Sequence, residues 1–114
     1  EQQVLNDLKE FLLRSPHMTA VICLNDFIAA DVARAARLVG RRVGDDLSIM
    51  GFDNIGISAN LDPPISTVNC PTYEIGKEAA KSLLYLMENG AQHRIHKTLP
   101  MELVLRESCA PPRN

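Results

Sequence analysis

The feature that most constrains this fold is a pair of short apolar runs separated by an alanine-rich helical pattern. The runs are residues 19–24 and 47–52, and the first is rich in β-branched side chains. Between them, apolar residues recur at the three-to-four spacing of a helix: Ala29, Val32, Ala36 and Val39. Gly40 ends that pattern. This order predicts a β-α-β unit with a right-handed crossover, in which both strands are covered on both faces.

The rest of the chain supplies further elements around this unit. Residues 1–14 have the spacing of an amphipathic helix, and no capping residue precedes it, so we expect the sequence to start inside or just before a longer helix. Four further elements are predicted: a surface loop with at most one helical turn over 53–64, a short strand over 65–69, a helix over 71–89, and a last strand over 99–106. The predicted fold class is α/β, a parallel sheet with flanking helices.

Composition narrows the functional classes. The chain of 114 residues carries 12 Lys and Arg against 14 Asp and Glu, a net charge of −2, which excludes a basic surface for gripping nucleic acid. No run approaches the roughly 18 apolar residues of a membrane span, so we expect no membrane partner. The three cysteines are far apart and fit neither a disulfide framework nor a CxxC metal motif. A reducing, cytoplasmic location fits best.

Short polar side chains follow each predicted strand. Asn25 and Asp26 follow the first strand, Asp53 and Asn54 follow the second, and residues 69–72 follow the third. In an open parallel sheet, ligands bind beyond the carboxyl ends of the strands, so these side chains are candidates for binding hydroxyl groups or a heterocycle. Asn and Asp are also ordinary cap and turn residues, and that local role stays open. We expect Asp26 to cap the following helix rather than to bind a ligand.

The sequence lacks the residue spacing of the common metal, catalytic, nucleotide-binding and phosphorylation sites. His93 and His96 have metal-like spacing but lie in a polar loop without a further ligand. The sequence contains no G-x-S-x-G, G-x-G-x-x-G or Walker motif. An acidic phosphorylation pocket would need Asp45 and Asp46 beside Asp53, yet the pair precedes its strand and Asp53 follows it. We therefore predict no catalytic residue, no metal site and no cofactor.

Four segments in a fixed order carry a family resemblance. They are T-A-V-I-C-L-N-D at 19–26, D-L-S-I-M-G-F-D-N at 46–54, D-P-P-I-S-T-V at 62–68 and L-V-L-R-E-S at 103–108. Together they resemble the effector domain of the lactose and galactose repressor family of transcriptional regulators. The resemblance covers nearly the whole chain. It implies a fold similar to type I periplasmic binding proteins, with two α/β lobes around a cleft.

The resemblance also implies a domain organisation. The chain corresponds to the C-terminal part of an effector-binding and dimerisation domain, and the DNA-binding domain is absent from it. Residues 1–69 and 101–110 approximately match the C-terminal lobe, whereas residues 71–100 match a segment of the N-terminal lobe.

Site residues follow from the matched motifs. Asn25 and Asp53 correspond to effector contacts of the family, and Thr72 and Ile75 match positions that line the cleft. Cys70 and Thr72 stand where other members carry larger groups, so the identity of the effector is not transferred. The family's dimer surface corresponds to Ala30, Ala33 and Arg34, which we expect to face outward from their helix, and to the neighbouring loop around Leu61.

The resemblance implies a binding module rather than an enzyme. A small molecule, a sugar or a nucleoside, would bind it and shift a two-state equilibrium in a homodimeric bacterial regulator, usually a repressor. Operator DNA would be bound only through a helix-turn-helix outside this chain. The alternative is the solute-binding protein of a sugar ABC transporter, which shares the fold.

The charge predicts that this chain alone does not bind operator DNA in a sequence-dependent manner. Its net charge is −2 and its sequence shows no helix-turn-helix with a basic face, so we expect neither strong phosphate contacts nor reading of the bases. A gel-shift assay at near-physiological salt should show no difference between an operator fragment and a scrambled fragment. Preferential binding of the operator would contradict the prediction.

Overall fold

The computed structural model describes residues 2–113, which form two compact units. The first unit contains the described residues up to Asn69 and those from Leu103 onward, and the second runs from Cys70 to Glu102. The chain therefore leaves the first unit once and returns to it once. The assignment of the two units to the lobes of the family stays a prediction.

Eight helices and strands alternate along the described chain. They are α1 (Gln2–Arg14), β1 (Ala20–Ile22), α2 (Asp26–Leu38), β2 (Ser48–Met50), α3 (Gly56–Asn60), β3 (Thr67–Asn69), α4 (Thr72–Asn89) and β4 (Glu102–Val104). This order confirms the predicted α/β class and the strand-helix-strand unit, although each strand is shorter than the run that predicts it. The loop after β2 contains the single short helix α3.

The strands form two ladders that are joined by a bridge. β1 pairs with β2 in parallel, with Val21 opposite Ile49, and β3 pairs with β4. A parallel bridge between Met50 and Ser66 joins the two ladders. The carboxyl ends of β1, β2 and β3 therefore lie at one edge, which is where the sequence places its candidate ligand residues.

The core of the first unit lies between α1, α2 and one face of the strands. Eleven apolar residues form it: Leu5, Leu12, Cys23, Ala29, Val32, Ala33, Ala35, Ala36, Leu47, Ile49 and Ile65. Four of the eleven are alanines of α2, whose small side chains allow the helix to approach its neighbours closely. Only residues 23–25 separate β1 from α2, so the packing of α2 fixes where the chain goes after β1.

The prediction that β1 and β2 are covered on both faces is wrong for the described residues. At the end of β1 the burial alternates: Cys23 is buried, whereas Ile22 and Leu24 are 73% and 80% exposed. On β2 only Ile49 is fully buried, and Met50 is partly exposed. Successive side chains of a strand point to opposite faces, and the core described above covers only one of them.

The second unit consists of α4 and the segment that follows it. None of the residues of α4 is buried. Apolar and polar side chains of α4, together with residues 95, 97–99 and 101, line an open cavity of about 510 Å³. An ion pair of 2.5 Å between Lys97 Nζ and Glu78 Oε2 ties the segment to the helix and lowers the pKa of Glu78. None of the helices found between residues 2 and 113 has the length and apolar character required to cross a membrane.

The fully buried hydroxyl group of Ser108 connects β2 to Ser66, the residue that precedes β3. Ser108 Oγ donates to the carbonyl oxygen of Ile49 at 2.6 Å and accepts from the amide of Ser66 at 2.7 Å. Both partners are backbone groups beside the strand bridge, so the serine completes hydrogen bonding where the ladders meet.

Replacing this hydroxyl group should destabilise the fold. Ser108→Ala leaves the buried amide of Ser66 without a partner and leaves the carbonyl oxygen of Ile49 with only the thiol of Cys109 at 3.3 Å, so we expect the free energy of unfolding to fall by about 1–3 kcal/mol. Urea denaturation measures the change. Ser82→Ala, at a partly exposed position of α4, is the control and should change the free energy of unfolding by less than about 0.5 kcal/mol. Equal stability of the two variants would contradict the assigned role of Ser108.

Candidate functional site

The chain segments that follow β1 and β2 meet at one turn. After β2 the chain turns through residues 52–55, and after β1 it enters α2 at Asp26. The amide of Asp26 donates to the carbonyl oxygen of Phe52 at 3.0 Å. The two strand ends that the sequence selects for ligand binding are therefore in direct contact.

Asn25 is the N-cap of α2. Its backbone is extended, with φ −153°, and its Oδ1 accepts from the amide of Ile28 at 3.0 Å. This bond satisfies one of the free amides of the first helical turn. Because the oxygen is engaged, the amide nitrogen Nδ2 is the part of this half-buried side chain that can donate to a ligand.

Asp53 is exposed and stands in a strained turn. Asp53 and Asn54 have φ values of 92° and 52°, the left-handed region that is uncommon for residues other than glycine, although Asp and Asn adopt it more often than the rest. Such a conformation costs on the order of 1–3 kcal/mol and persists only where the surroundings enforce it. Here the amide of Asp53 donates to the carbonyl oxygen of Val68 at 2.9 Å. The carboxylate is thereby presented to solvent at the carboxyl end of β2.

The prediction that Asp26 caps α2 is wrong. Asn25 is the cap, and Asp26 is the first residue of the helix. The Asp26 side chain is completely buried, and its carboxylate accepts from Thr67 Oγ1 at 2.6 Å and from the amide of Ile55 at 2.9 Å. The sequence cannot show this, because the hydroxyl group that turns the carboxylate inward lies 41 positions away.

Arg106 is a member of the site that the sequence interpretation missed. Its Nη2 donates to Asn54 Oδ1 at 2.7 Å, and its Nη1 donates to Ser58 Oγ at 3.0 Å and to the carbonyl oxygen of Ile65 at 2.7 Å. Asn54 in turn donates through Nδ2 to Asn69 Oδ1 at 3.1 Å. The only signal in the sequence is the arginine of the segment L-V-L-R-E-S, which gives no indication of its partners.

A shallow apolar depression adjoins these polar groups. It has a volume of about 290 Å³ and is lined by Ile22, Cys23, Leu24 and Phe52. Leu24 and Phe52 immediately precede Asn25 and Asp53 in the chain. Burial raises the pKa of the Cys23 thiol to about 11, so this cysteine stays protonated near neutral pH. An amide donor and a carboxylate acceptor beside an apolar surface suit a ligand with hydroxyl groups and an apolar face.

Asp45 and Asp46 lie before β2, at its opposite end from Asp53. Arg42 pairs with both carboxylates, and the hydrogen bond from its side chain lowers the pKa of Asp46 to about 2. The three carboxylates therefore form no common acidic pocket. Among residues 2–113 no three His, Cys, Asp or Glu side chains are grouped so that they could hold a metal ion.

Thr72 and Ile75 belong to the second unit. They lie in the first turns of α4, where Thr72 is exposed and Ile75 is 40% exposed. The hydrogen-bond network of Asp26, Asp53 and Arg106 lies wholly within the first unit.

The candidate dimer residues differ in exposure. Arg34 is exposed, and Ala30 and Leu61 are half-buried. The expectation that Ala33 faces outward is wrong, since only 3% of its surface is exposed. Ala33 follows the buried Ala29 by four residues, and this spacing places the two side chains on the same helix face.

Comparison with known proteins identifies the family of the chain. The family of periplasmic binding protein-like domains matches residues 1–109. The ribose operon repressor of Haemophilus influenzae is 40% identical over 103 residues, which are 89% of this chain and 30% of the repressor. The transcriptional repressor CytR of Escherichia coli is 40% identical over 90 residues, which are 79% of this chain and 26% of CytR.

A solved structure supports the same relationship. A LacI family transcriptional regulator from Enterococcus faecium with bound ribose superposes with a TM-score of 0.85 at 31% identity, over 99% of this chain and 42% of that one. The fold is that of the periplasmic-binding-protein type. The chain belongs to the family of periplasmic binding protein-like domains, in the form found in the lactose and galactose repressor family. It spans less than a third of the length of these two curated relatives.

The left-handed turn predicts a difference in stability between two substitutions that both remove the carboxylate. Asp53→Gly removes the side chain that disfavours φ 92°, so we expect the free energy of unfolding to exceed that of Asp53→Ala by about 0.5–1 kcal/mol. Thermal denaturation of the two variants measures the difference. A glycine variant less stable than the alanine variant would show that the turn carries no such strain.

Proposed function

We propose that this chain is the part of a bacterial transcriptional regulator that senses a small-molecule effector and contributes to dimerisation. The effector is a sugar or a nucleoside, and its binding shifts the equilibrium between two conformations of the regulator. The regulator is a repressor that works in the cytoplasm. It performs no chemistry on the effector.

The observation that carries the proposal is the exposed carboxylate of Asp53 on a strained, hydrogen-bonded turn. A protein keeps such a conformation where it serves a purpose, because a relaxed turn would be more stable. The carboxylate can accept two hydrogen bonds from neighbouring hydroxyl groups of a sugar ring. The Nδ2 group of Asn25, at the adjacent strand end, offers a donor to the same ligand. Donor and acceptor together suit hydroxyl groups, which both donate and accept.

The comparisons support regulation over transport. The relatives and neighbours described above are named as repressors or transcriptional regulators, and none is named as a transporter component. This favours a regulator over the solute-binding protein of a sugar transporter. Ribose bound to the regulator from Enterococcus faecium makes D-ribose a reasonable first probe.

Further contacts of the regulator are proposed from the family pattern. Thr72 and Ile75 contribute effector contacts from the second unit, where both side chains are accessible. Ala30, Arg34 and Leu61 contribute to a homodimer surface on α2 and the segment after α3, whereas the buried Ala33 is not part of it. Operator DNA is bound by a separate helix-turn-helix domain of the regulator.

Titration of the intact protein with sugars and a nucleoside tests the proposal. Calorimetry with D-ribose, cellobiose, lactose and adenosine should identify at least one ligand of the wild type. Asp53→Ala should then weaken its binding by a factor of about ten to a few hundred, since each charge-assisted hydrogen bond contributes roughly 1.5–3 kcal/mol. Operator binding in the absence of ligand should be unchanged.

Asp45→Ala is the matched control, because it removes a carboxylate at the opposite end of β2. Its ligand affinity should equal that of the wild type. If Asp53→Ala is folded by circular dichroism and retains wild-type affinity, Asp53 is a turn residue without a role in binding.

A further inference from the structure

We propose that Asp26 is a positioning residue for effector binding: its buried carboxylate holds the turn of residues 52–55 in the conformation that presents Asp53. The proposal rests on the effector-binding role of Asp53 proposed above. Asp26 cannot itself contact an effector in this conformation, because its exposed fraction is 0%. It acts through the backbone that carries Asp53.

Asp26 forms hydrogen bonds with both ends of the turn. Its backbone amide donates to the carbonyl oxygen of Phe52 at 3.0 Å, and its carboxylate accepts from the amide of Ile55 at 2.9 Å. Between these two anchor points lie only Asp53 and Asn54, the two residues with left-handed backbones. The side chain and the backbone amide of Asp26 therefore fix residues 52 and 55, which flank the two residues with left-handed backbones.

A third contact reaches the middle of the turn. Thr67 Oγ1 donates to the carboxylate of Asp26 at 2.6 Å and accepts from the amide of Asn54 at 3.3 Å. Because the hydroxyl hydrogen is directed to Asp26, the oxygen lone pairs of Thr67 are free to accept from Asn54. The carboxylate thus supports the Asn54 amide as well as the Ile55 amide.

The carboxylate of Asp26 is closely packed against Gly51. A Cβ atom built on Gly51 would lie 2.1 Å from Asp26 Oδ1, so the carboxylate is packed directly against the backbone of the residue after β2. A glycine at position 51 is the condition for this approach. The carboxylate is therefore in contact with the end of β2, with the turn and with β3 at once.

This arrangement requires two acceptors, which only a carboxylate supplies. In Asp26→Asn the side chain keeps its size but has one acceptor and one donor group. If the amide group faces Ile55, two N–H groups oppose each other. If it faces Thr67, the hydroxyl hydrogen of Thr67 loses its acceptor. In either orientation one buried polar group is left unpaired. In the first the turn loses its anchor at Ile55, and in the second the Thr67 hydroxyl, which supports the Asn54 amide, is no longer held in one orientation.

The test measures the turn and the ligand separately. In the intact, ligand-free protein, hydrogen exchange of the peptide covering residues 52–56 should be faster in Asp26→Asn than in wild type, with α1 and the C-terminal part of α2 unchanged. With D-ribose or another ligand from the panel above, the affinity should fall by at least about tenfold, which corresponds to roughly 1.4 kcal/mol. Asp7→Asn, an exposed position of α1, is the control for the loss of charge and should behave as wild type in both assays.

A double-variant cycle distinguishes positioning from general destabilisation. In an Asp53→Ala background, Asp26→Asn should cause little further loss of affinity, because the group that it positions is already absent. Equal losses in both backgrounds would overturn the proposal, as would unchanged exchange of residues 52–56 in Asp26→Asn. If Asp53→Ala binds the ligand as tightly as the wild type does, the effector role of Asp53 fails, and the exchange experiment alone decides whether Asp26 holds the turn.

Thr67→Val serves if Asp26→Asn does not fold. Valine keeps the shape of threonine but removes the donor to Asp26 and the acceptor for the Asn54 amide. Faster exchange of the Asn54 and Ile55 amides, with a smaller loss of affinity, is the expected result. Exchange and affinity equal to wild type in Thr67→Val would overturn the proposal.

Discussion

The structure of the site depends on one buried carboxylate. A charged group without exposed surface is costly unless donors surround it, and Asp26 meets this requirement with Thr67 and Ile55. These donors come from separate parts of the chain, so the carboxylate is satisfied only when α2, the turn after β2 and β3 are all in place. The interaction therefore links the completion of the fold to the geometry of the turn that carries Asp53.

The apolar core provides the frame in which this carboxylate can be buried. The alanines of α2 let the helix lie close to its neighbours, and Ile49 on β2 fills the covered face of the strand. With α2 and β2 fixed in this way, the first residue of the helix lies against Phe52 and Gly51. The apolar core, which does not contact a ligand itself, thus determines where the polar groups of the site lie.

The sequence predicts the elements well, because periodicity and strand-end rules are local. The β-α-β unit, the helix at the start and the long helix α4 follow from spacing alone. Strand-end rules likewise select Asn25 and Asp53, whose binding role stays a prediction. Contacts between distant residues are not local, so the inward-facing carboxylate of Asp26 and the contribution of Arg106 were missed. Two local predictions are wrong: that both faces of β1 and β2 are covered, and that Ala33 faces outward. Both errors arise because apolar composition does not show which neighbours cover a given face of a strand or helix.

The guanidinium group of Arg106 has a mechanical consequence. It binds Asn54 of the strained turn and Ser58 of α3 through its two terminal nitrogens, and it belongs to the segment that re-enters the first unit. A planar fork is rigid, so a displacement of one partner must be followed by the other or break a hydrogen bond. The turn, α3 and the segment that returns to the first unit are therefore mechanically coupled through Arg106. A displacement of any one of them either displaces the other two or breaks a hydrogen bond of Arg106.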